Sequence, residues 1–281
     1  MDPKTAQRIA FMALFLGTCL VIVPVVFVLA VIVKEGAGII NWNFLTTQPL
    51  NGMRAGGIFP AILGTLILVS GAVMISLPIG VLAAVYLNEY AGERPLTRII
   101  RLAIINLAGV PSVVYGLFGL ALFVMFLQFG VSIIAGCCTL AIMELPVIIT
   151  ASREALNSVP QSFREVSLSL GASRWQTIRN VVLPNALPGI MTGTILSVAR
   201  VAGETAPILF TVAAFYLPHL PRSIFDQTMA LPYHLYIIST QIPNMPRELT
   251  FGTALVLISM VFIMNLAAII IRVYFRRKKL W

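Results

Sequence analysis

Long apolar runs separated by short polar connections dominate this chain, and six of them are long enough to cross a bilayer. The hydrocarbon core is roughly 30 Å thick, so a crossing helix needs about 20 predominantly apolar residues. The runs lie near 9–33, 59–87, 102–129, 131–151, 181–215 and 251–274. They are too long and too uniformly apolar for barrel strands, which take about 9–11 residues of alternating character. The first run also exceeds the roughly 7–15 residues of a signal-peptide core and has no convincing cleavage site after it. It is expected to stay as the first membrane helix. The fifth run is longer than a crossing requires and contains Pro188 and Pro207, which predicts a kink or an early end. Pro78, Pro111 and Pro146 fall inside other runs, where membrane helices tolerate them better than soluble ones do.

Composition agrees with this pattern. Of 281 residues, 59% are hydrophobic and 10% charged, against about 45–50% and about 25% in soluble domains. A water-soluble fold of this size has too few charges here to cover its surface. The net charge of +9 would fit a nucleic-acid partner only if the basic residues formed a solvated patch, and instead they punctuate the apolar runs. Fourteen of the nineteen Lys and Arg fall in one set of connections, from Lys4 and Arg8 through Arg94, Arg153 and Arg174 to Lys279. The opposite set holds four: Lys34, Arg54, Arg222 and Arg247. Basic residues favour the cytoplasmic side, so both termini are expected there, as an even number of crossings requires. The final Arg276-Arg277-Lys278-Lys279 reads most simply as a stop-transfer anchor beside membrane lipid.

Cys19, Cys137 and Cys138 sit in apolar runs, and neighbours in a helix do not face each other, so neither a disulfide framework nor a metal site is expected. His219 and His234 fall in an outer connection without ligand spacing and read as solvated loop residues. No phosphate-binding loop, His-Glu-x-x-His or Gly-x-Ser-x-Gly is present in the sequence. The chain is therefore not expected to be an enzyme, to carry a catalytic residue or to bind a cofactor itself.

The connection 153–180 is the longest polar segment on the basic face and reads as structured. Ser162 to Glu165 predicts one capping box, Gly171 a left-handed helix end, and Ser173 to Gln176 a second capping box. Phe163, Val166 and Leu170 share one face of the first short helix; Trp175, Ile178 and Val182 share one face of the second. Two helices hinged at a glycine form either an amphipathic loop on the headgroups or a lever that docks into a partner.

The same segment reads Glu165-Val-Ser-x-x-x-Gly171, then nine residues, then Val181-Val-Leu183-Pro184. This resembles the cytoplasmic signature loop of ABC importer permeases, with Val-Ser in place of the usual Ala-Ala. The resemblance implies that Glu165, Ser169, Gly171, Ala172, Trp175, Leu183 and Pro184 serve coupling to an ATPase subunit. Gly56-Gly-Ile-Phe-Pro60, Tyr86-Leu-Asn-Glu-Tyr-Ala91, Asn106 to Gly116, Arg153-Glu-Ala-Leu156 and Ala199 to Pro207 narrow it further. Together they resemble the phosphate-specific importer permeases, the PstA-type subunit more than its PstC-type partner. What that implies is an all-α polytopic membrane protein with the type I, MetI-like permease fold. Residues 1–57 would form an N-terminal transmembrane helix and outer loop, and 58–281 the permease core. The implied partners are a PstC-type permease, two ATPase subunits that use ATP and Mg, and a periplasmic or extracellular phosphate-binding protein. The implied location is the bacterial plasma (inner) membrane.

Arg200 and Glu204 stand i, i+4 on one helix face within an apolar run. An arginine at the bilayer centre costs about 2.5–3.5 kcal/mol on insertion scales, so it should face a bundle interior or a wet pathway. Either the two form an ion pair that fixes packing, or Arg200 meets a passing anion with its planar donors. Glu144, before Pro146, is a second intramembrane carboxylate. With Arg200 and both glutamates ionised in one cavity the net charge would be −1, which repels phosphate. One glutamate then carries a proton, Glu144 faces elsewhere, or a partner adds positive charge. Asn106, Gly109, Pro111 and Ser112 either interrupt the third span at the pathway or kink it, and Gly189 and Gly193 predict close helix packing. The connection after 218 reads as a loop of mixed charge or a contact for the binding protein. Rival functions are a permease for sulfate or molybdate and a membrane scaffold or signalling subunit that transports nothing.

Overall fold

The computed structural model describes residues 3–92, 94–217 and 219–277, so Lys278 and Lys279 of the basic C-terminal run lie outside the described residues. The helices, in chain order, are α1 (Pro3–Gly36), α2 (Trp42–Thr46), α3 (Phe59–Val85), α4 (Pro95–Ala108), α5 (Ser112–Gly119), α6 (Ile133–Asn157), α7 (Gln161–Ser169), α8 (Arg174–Thr177), α9 (Leu183–Gly203), α10 (Ala206–Thr211), α11 (Leu231–Thr240) and α12 (Arg247–Arg277). A two-stranded hairpin, β1 (Pro49–Leu50) with β2 (Ala55–Gly56), sits between α2 and α3. Three wide, π-type turns, Tyr86–Tyr90, Leu120–Phe126 and Ile178–Val182, extend α3 and α5 and join α8 to α9.

Among the described residues, five helices are long and apolar enough to cross a membrane, and the expected third span is broken into α4 and α5 with its continuation, bent by 104°. The close approaches between helices fix how many times the chain crosses. A Cβ on Gly71 of α3 would meet Cys137 of α6, and one on Gly80 would meet Ile148, so these helices run parallel. The segment between them must return to the starting face, and α4–α5 together make that one crossing. Similarly, Gly189 faces Ala155 and Gly193 faces Ala151, which sets α9 antiparallel to α6. Gly36 at the end of α1 abuts Phe251 and Gly252 at the start of α12. Six crossings result, and α1 begins on the face where α12 ends. The break at Gly109-Val110-Pro111 has a local cause: Pro111 lacks an amide, and its ring disfavours helical backbone at Val110.

The expected fifth span, 181–215, ends early. Glu204 is extended at φ −71°, ψ 133°, and α10 restarts with Pro207 in its first turn, so α9 stops at Gly203. The connection after 218 is also more ordered than a solvated loop, because α11 folds back and its Leu231, Tyr233, His234, Ile237 and Ile238 are buried. Carbonyls of this outer region and α10 satisfy the first free amides of α6: Ser132 donates to Thr211, Ile133 to Asp226 and Ile134 to Ile224, at 2.9–3.0 Å. The first amides of a helix have no intrahelical acceptor, and these carbonyls supply one.

Two clusters form the core. The larger joins α3, α6, the outer end of α9, α10 and α11 through residues such as Leu68, Leu140, Met143, Ile208 and Leu231. The second lies at the other face, where Val85, Leu87, Ile149, Leu156, Ile178 and Val182 tie α3 and α6 to the loop before α9. Most of α1 and the outer faces of α4 and α12 leave Leu, Ile, Val and Phe exposed, which is the surface lipid requires. In the first cluster, a Cβ on Gly64 would collide with the Met229 carbonyl and the Thr228 hydroxyl. Gly64→Ala is therefore expected to destabilise the outer half by about 1–3 kcal/mol, read as a lower midpoint in thermal denaturation of the detergent-purified protein.

Candidate functional site

Arg200 occupies the last turn of α9, where the carbonyl end of the helix favours a cation. Its Nε lies 3.5 Å from Glu204 Oε1 and 3.7 Å from Glu144 Oε1. Glu144 belongs to α6 and is fully buried; its Oε2 accepts a 2.7 Å hydrogen bond from Ser197 of α9. Its Oε1 has no hydrogen-bond partner among the described residues. The tight seam of Gly189 and Gly193 against α6 lets these short side chains meet across two helices. Of the three charged groups Arg200 is the most accessible, its side chain 37% exposed against 16% for Glu204 and none for Glu144.

The three intramembrane charges are thus brought together, which removes the alternative that Glu144 faces elsewhere. Both ion pairs are longer than hydrogen bonds and run to Nε. The carboxylates fix the arginine through its stem-side nitrogen while the side chain stays partly open. The break after Gly203 matters as well. Glu204 leaves the helix there, so it reaches Arg200 from an extended segment and not from a continuing i, i+4 face.

Asn106 and Ser112 flank the bend between α4 and α5. Asn106 is exposed, Ser112 is half-buried, and among the described residues no hydrogen bond or ion pair joins either to the charged triad. Sequence reasoning passed over Tyr115. Its hydroxyl donates 2.8 Å across the bend to the Leu107 carbonyl, which also accepts from the Val110 amide at the end of α4. Tyr115 is buried in the same cluster as Val201 and Ala202, beside Arg200. The available signal was a lone phenol in an apolar run, since a buried tyrosine hydroxyl needs a partner.

At the opposite end, α7, α8 and the wide turn Ile178–Val182 form the expected knob. Gly171 has φ +84°, as a left-handed helix end requires. The second capping box is complete: Gln176 N donates to Ser173 Oγ and Ser173 N to Gln176 Oε1. The first box does not form. The α7 helix starts at Gln161 behind Pro160, which caps it without a side-chain hydrogen bond. That start places Ser162 inside the first turn, not before it. The predicted apolar faces also divide differently. Phe163, Ile178 and Val182 pack inward, whereas Leu170 is 82%, Val166 60% and Trp175 50% exposed. An apolar tip on a polar loop marks a contact surface. Glu165 and Ser169 are exposed on the knob, and Ser169 Oγ donates to the Glu165 carbonyl. Ala172 is half-buried after the glycine; Leu183 packs on the inner core and Pro184 opens α9.

The histidines separate. His219 is exposed as expected, but His234 is buried in α11, where desolvation pushes its pKa down to about 4 and keeps the ring neutral. In the same outer region Asp226 accepts hydrogen bonds from the Arg222 and Ser223 amides, which hold its carboxyl below the usual range. The three cysteines are free thiols.

Residues 76–280 match the family described as binding-protein-dependent transport system inner membrane components. The chain is 37% identical over 289 residues to the phosphate transport system permease protein PstA 1 of Mycobacterium tuberculosis, covering 99% of this chain and 93% of that protein. It is 35% identical over 268 residues to the probable ABC transporter permease protein YqgI of Bacillus subtilis, 90% of each. A chain of a bacterial ABC transporter involved in the import of the acidic polysaccharide alginate shares the fold, with a TM-score of 0.70 over 98% of both chains at 13% identity.

Proposed function

Because this chain belongs to the binding-protein-dependent transport inner membrane components and is similar to PstA permeases over nearly its whole length, we infer that it is the permease subunit of an ATP-driven phosphate importer. It is a multi-pass membrane protein with the type I, MetI-like fold, and it hydrolyses no ATP itself. The observation that carries the mechanism is the position of Arg200, a guanidinium held between Glu144 and Glu204 at a helix break inside the membrane.

In this reading the permease core is 58–281, the pathway is lined by Arg200, Glu204 and Glu144, and Asn106 and Ser112 sit at the bend that shapes its wall. The two carboxylates orient Arg200, and phosphate is admitted either because one of them carries a proton or because a PstC-type partner supplies further positive charge from its own membrane-embedded residues. A phosphate-binding protein delivers the anion at the outer face formed by β1–β2 and α11. Both termini and the knob face the cytoplasm, where two ATPase subunits bind the exposed tip at Val166, Leu170 and Trp175. Nucleotide binding draws the knobs together and switches which face of the pathway is open, a shift between two states of differing ligand affinity.

The test is uptake into vesicles holding the complete complex, with phosphate, sulfate and molybdate offered in turn. Phosphate accumulation with ATPase stimulated by a phosphate-loaded binding protein is the expected result. Uptake of sulfate or molybdate alone would replace the substrate, and an absence of any uptake would favour the scaffold.

A further inference from the structure

The turn Tyr86–Tyr90 closes α3, and both halves of the coupling loop are fastened to it. Glu89 forms an ion pair with Arg164 of α7, at 2.9 Å from Oε1 to Nη2 and 3.4 Å from Oε2 to Nε. The two side chains are only 10% and 12% exposed, so water screens the pair weakly. Arg164 also donates to the Leu156 and Val159 carbonyls at the end of α6, at 2.9 and 2.8 Å. Beside it, the Arg174 guanidinium of α8 lies 5.5 Å from the centroid of the Tyr90 ring. Ser167 and Thr177 join α7 to the end of α8 through their hydroxyls, at 2.9 Å. A cleft of about 440 Å³, bordered by Glu89, Gln161, Arg164, Arg174 and Thr177, opens beside these contacts, while Phe163, Ile178 and Val182 share an apolar cluster with Val85, Leu87 and Leu156.

We propose that Glu89 is a positioning residue for transport: with Arg164 it forms a latch through which movement of the coupling loop is delivered to α3. The proposal rests on the importer reading above. The physical argument is one of attachment. A knob pushed by a partner moves the membrane helices only through the contacts that join them. The apolar contacts are non-directional and can slide, whereas the charge-assisted ion pair fixes one point, and the cleft beside it gives that flank of the loop room to tilt. A wide turn is also a place where a helix end changes register easily, and such turns recur at functional sites. Because α3 packs along α6 and α9, its displacement reaches the helices that carry Glu144 and Arg200.

The test uses the complete complex in vesicles and reads phosphate transported per ATP hydrolysed. Glu89→Gln keeps the shape and leaves Arg164 its two carbonyl acceptors, so the loop still folds. Expected are normal assembly, ATPase that still responds to the loaded binding protein, and a ratio lowered about tenfold, the scale of one charge-assisted contact. Glu89→Asp should recover part of it. Tyr90→Leu, which spares the ion pair, reads the second attachment and should lower the ratio less; it stands in if Glu89→Gln fails to assemble. Wild-type ratios in both variants would overturn the latch, as would losses that merely follow the amount of assembled complex. Unmodified complex is run beside them. If it takes up no phosphate, the importer reading fails; if it transports normally beside unaffected variants, only the latch does.

Discussion

Arg200→Gln is expected to abolish phosphate uptake, by a hundredfold or more, while the complex still assembles. The magnitude follows from what the side chain supplies: losing a preorganised charged donor aimed at an oxyanion costs about 2.7–4 kcal/mol in water-excluded sites, or roughly 10²–10³ in rate. The substitution has a second effect, however. Glu144 is fully buried and would keep only its hydrogen bond from Ser197. Breaking one side of a buried pair costs about 3–5 kcal/mol by itself. A companion variant, Arg200→Gln with Glu144→Gln, removes both charges and relieves that penalty. If Arg200 meets the anion, the double variant is more stable than the single one but takes up no more phosphate. If the pair only locks α6 to α9, uptake returns with that stability, and that result would remove Arg200 from the pathway.

The charged triad also shows how far a linear reading reaches. The spacing of Arg200 and Glu204 pointed to a contact, which is present at 3.5 Å, but Glu204 makes it from the extended residue after α9 and not from the helix face that the spacing assumed. That Glu144 joins them did not follow, because 56 positions separate it from Arg200 and only the antiparallel seam of α6 with α9 brings them together. The six crossings were legible for a similar reason: bilayer thickness imposes a length that apolar runs either meet or miss. The 104° bend within the third was not. Pro111 marked a possible break, but the size of a bend depends on what packs around it, here Tyr115 reaching back to Leu107. His234 was misread as solvated because a helix that folds back over the outer face looks, in sequence, like any polar-flanked connection. In the knob, Gly171 and the Ser173–Gln176 box are encoded locally and were found. The Ser162 box failed because Pro160 sets the helix start two residues earlier, and the Glu89–Arg164 latch spans 75 positions.

Gly171→Pro should separate ATP hydrolysis from transport, and the reason is confined to the backbone. Gly171 holds φ +84° and donates its amide to the Leu168 carbonyl at 3.0 Å. Proline fixes φ near −65° and has no amide to give, so the turn from α7 to α8 cannot close as it does here. The lever is then lost while the ATPase subunits keep their own sites, and phosphate moved per ATP is expected to fall at least tenfold, the equivalent of about 1.4 kcal/mol. Crowding would give a different pattern from backbone strain, and the structure allows the two to be told apart. A Cβ at position 171 would meet nothing within 4 Å, so substitution penalties should follow tolerance of the left-handed region and not side-chain size. Asn visits that region more readily than other residues with a Cβ. Transport per ATP should therefore decline in the order Gly, Asn, Ala, Pro, although Ala is smaller than Asn. An Ala variant that couples better than Asn would mean that space and not φ governs the hinge. A Pro variant that couples normally would remove the loop from the lever role altogether.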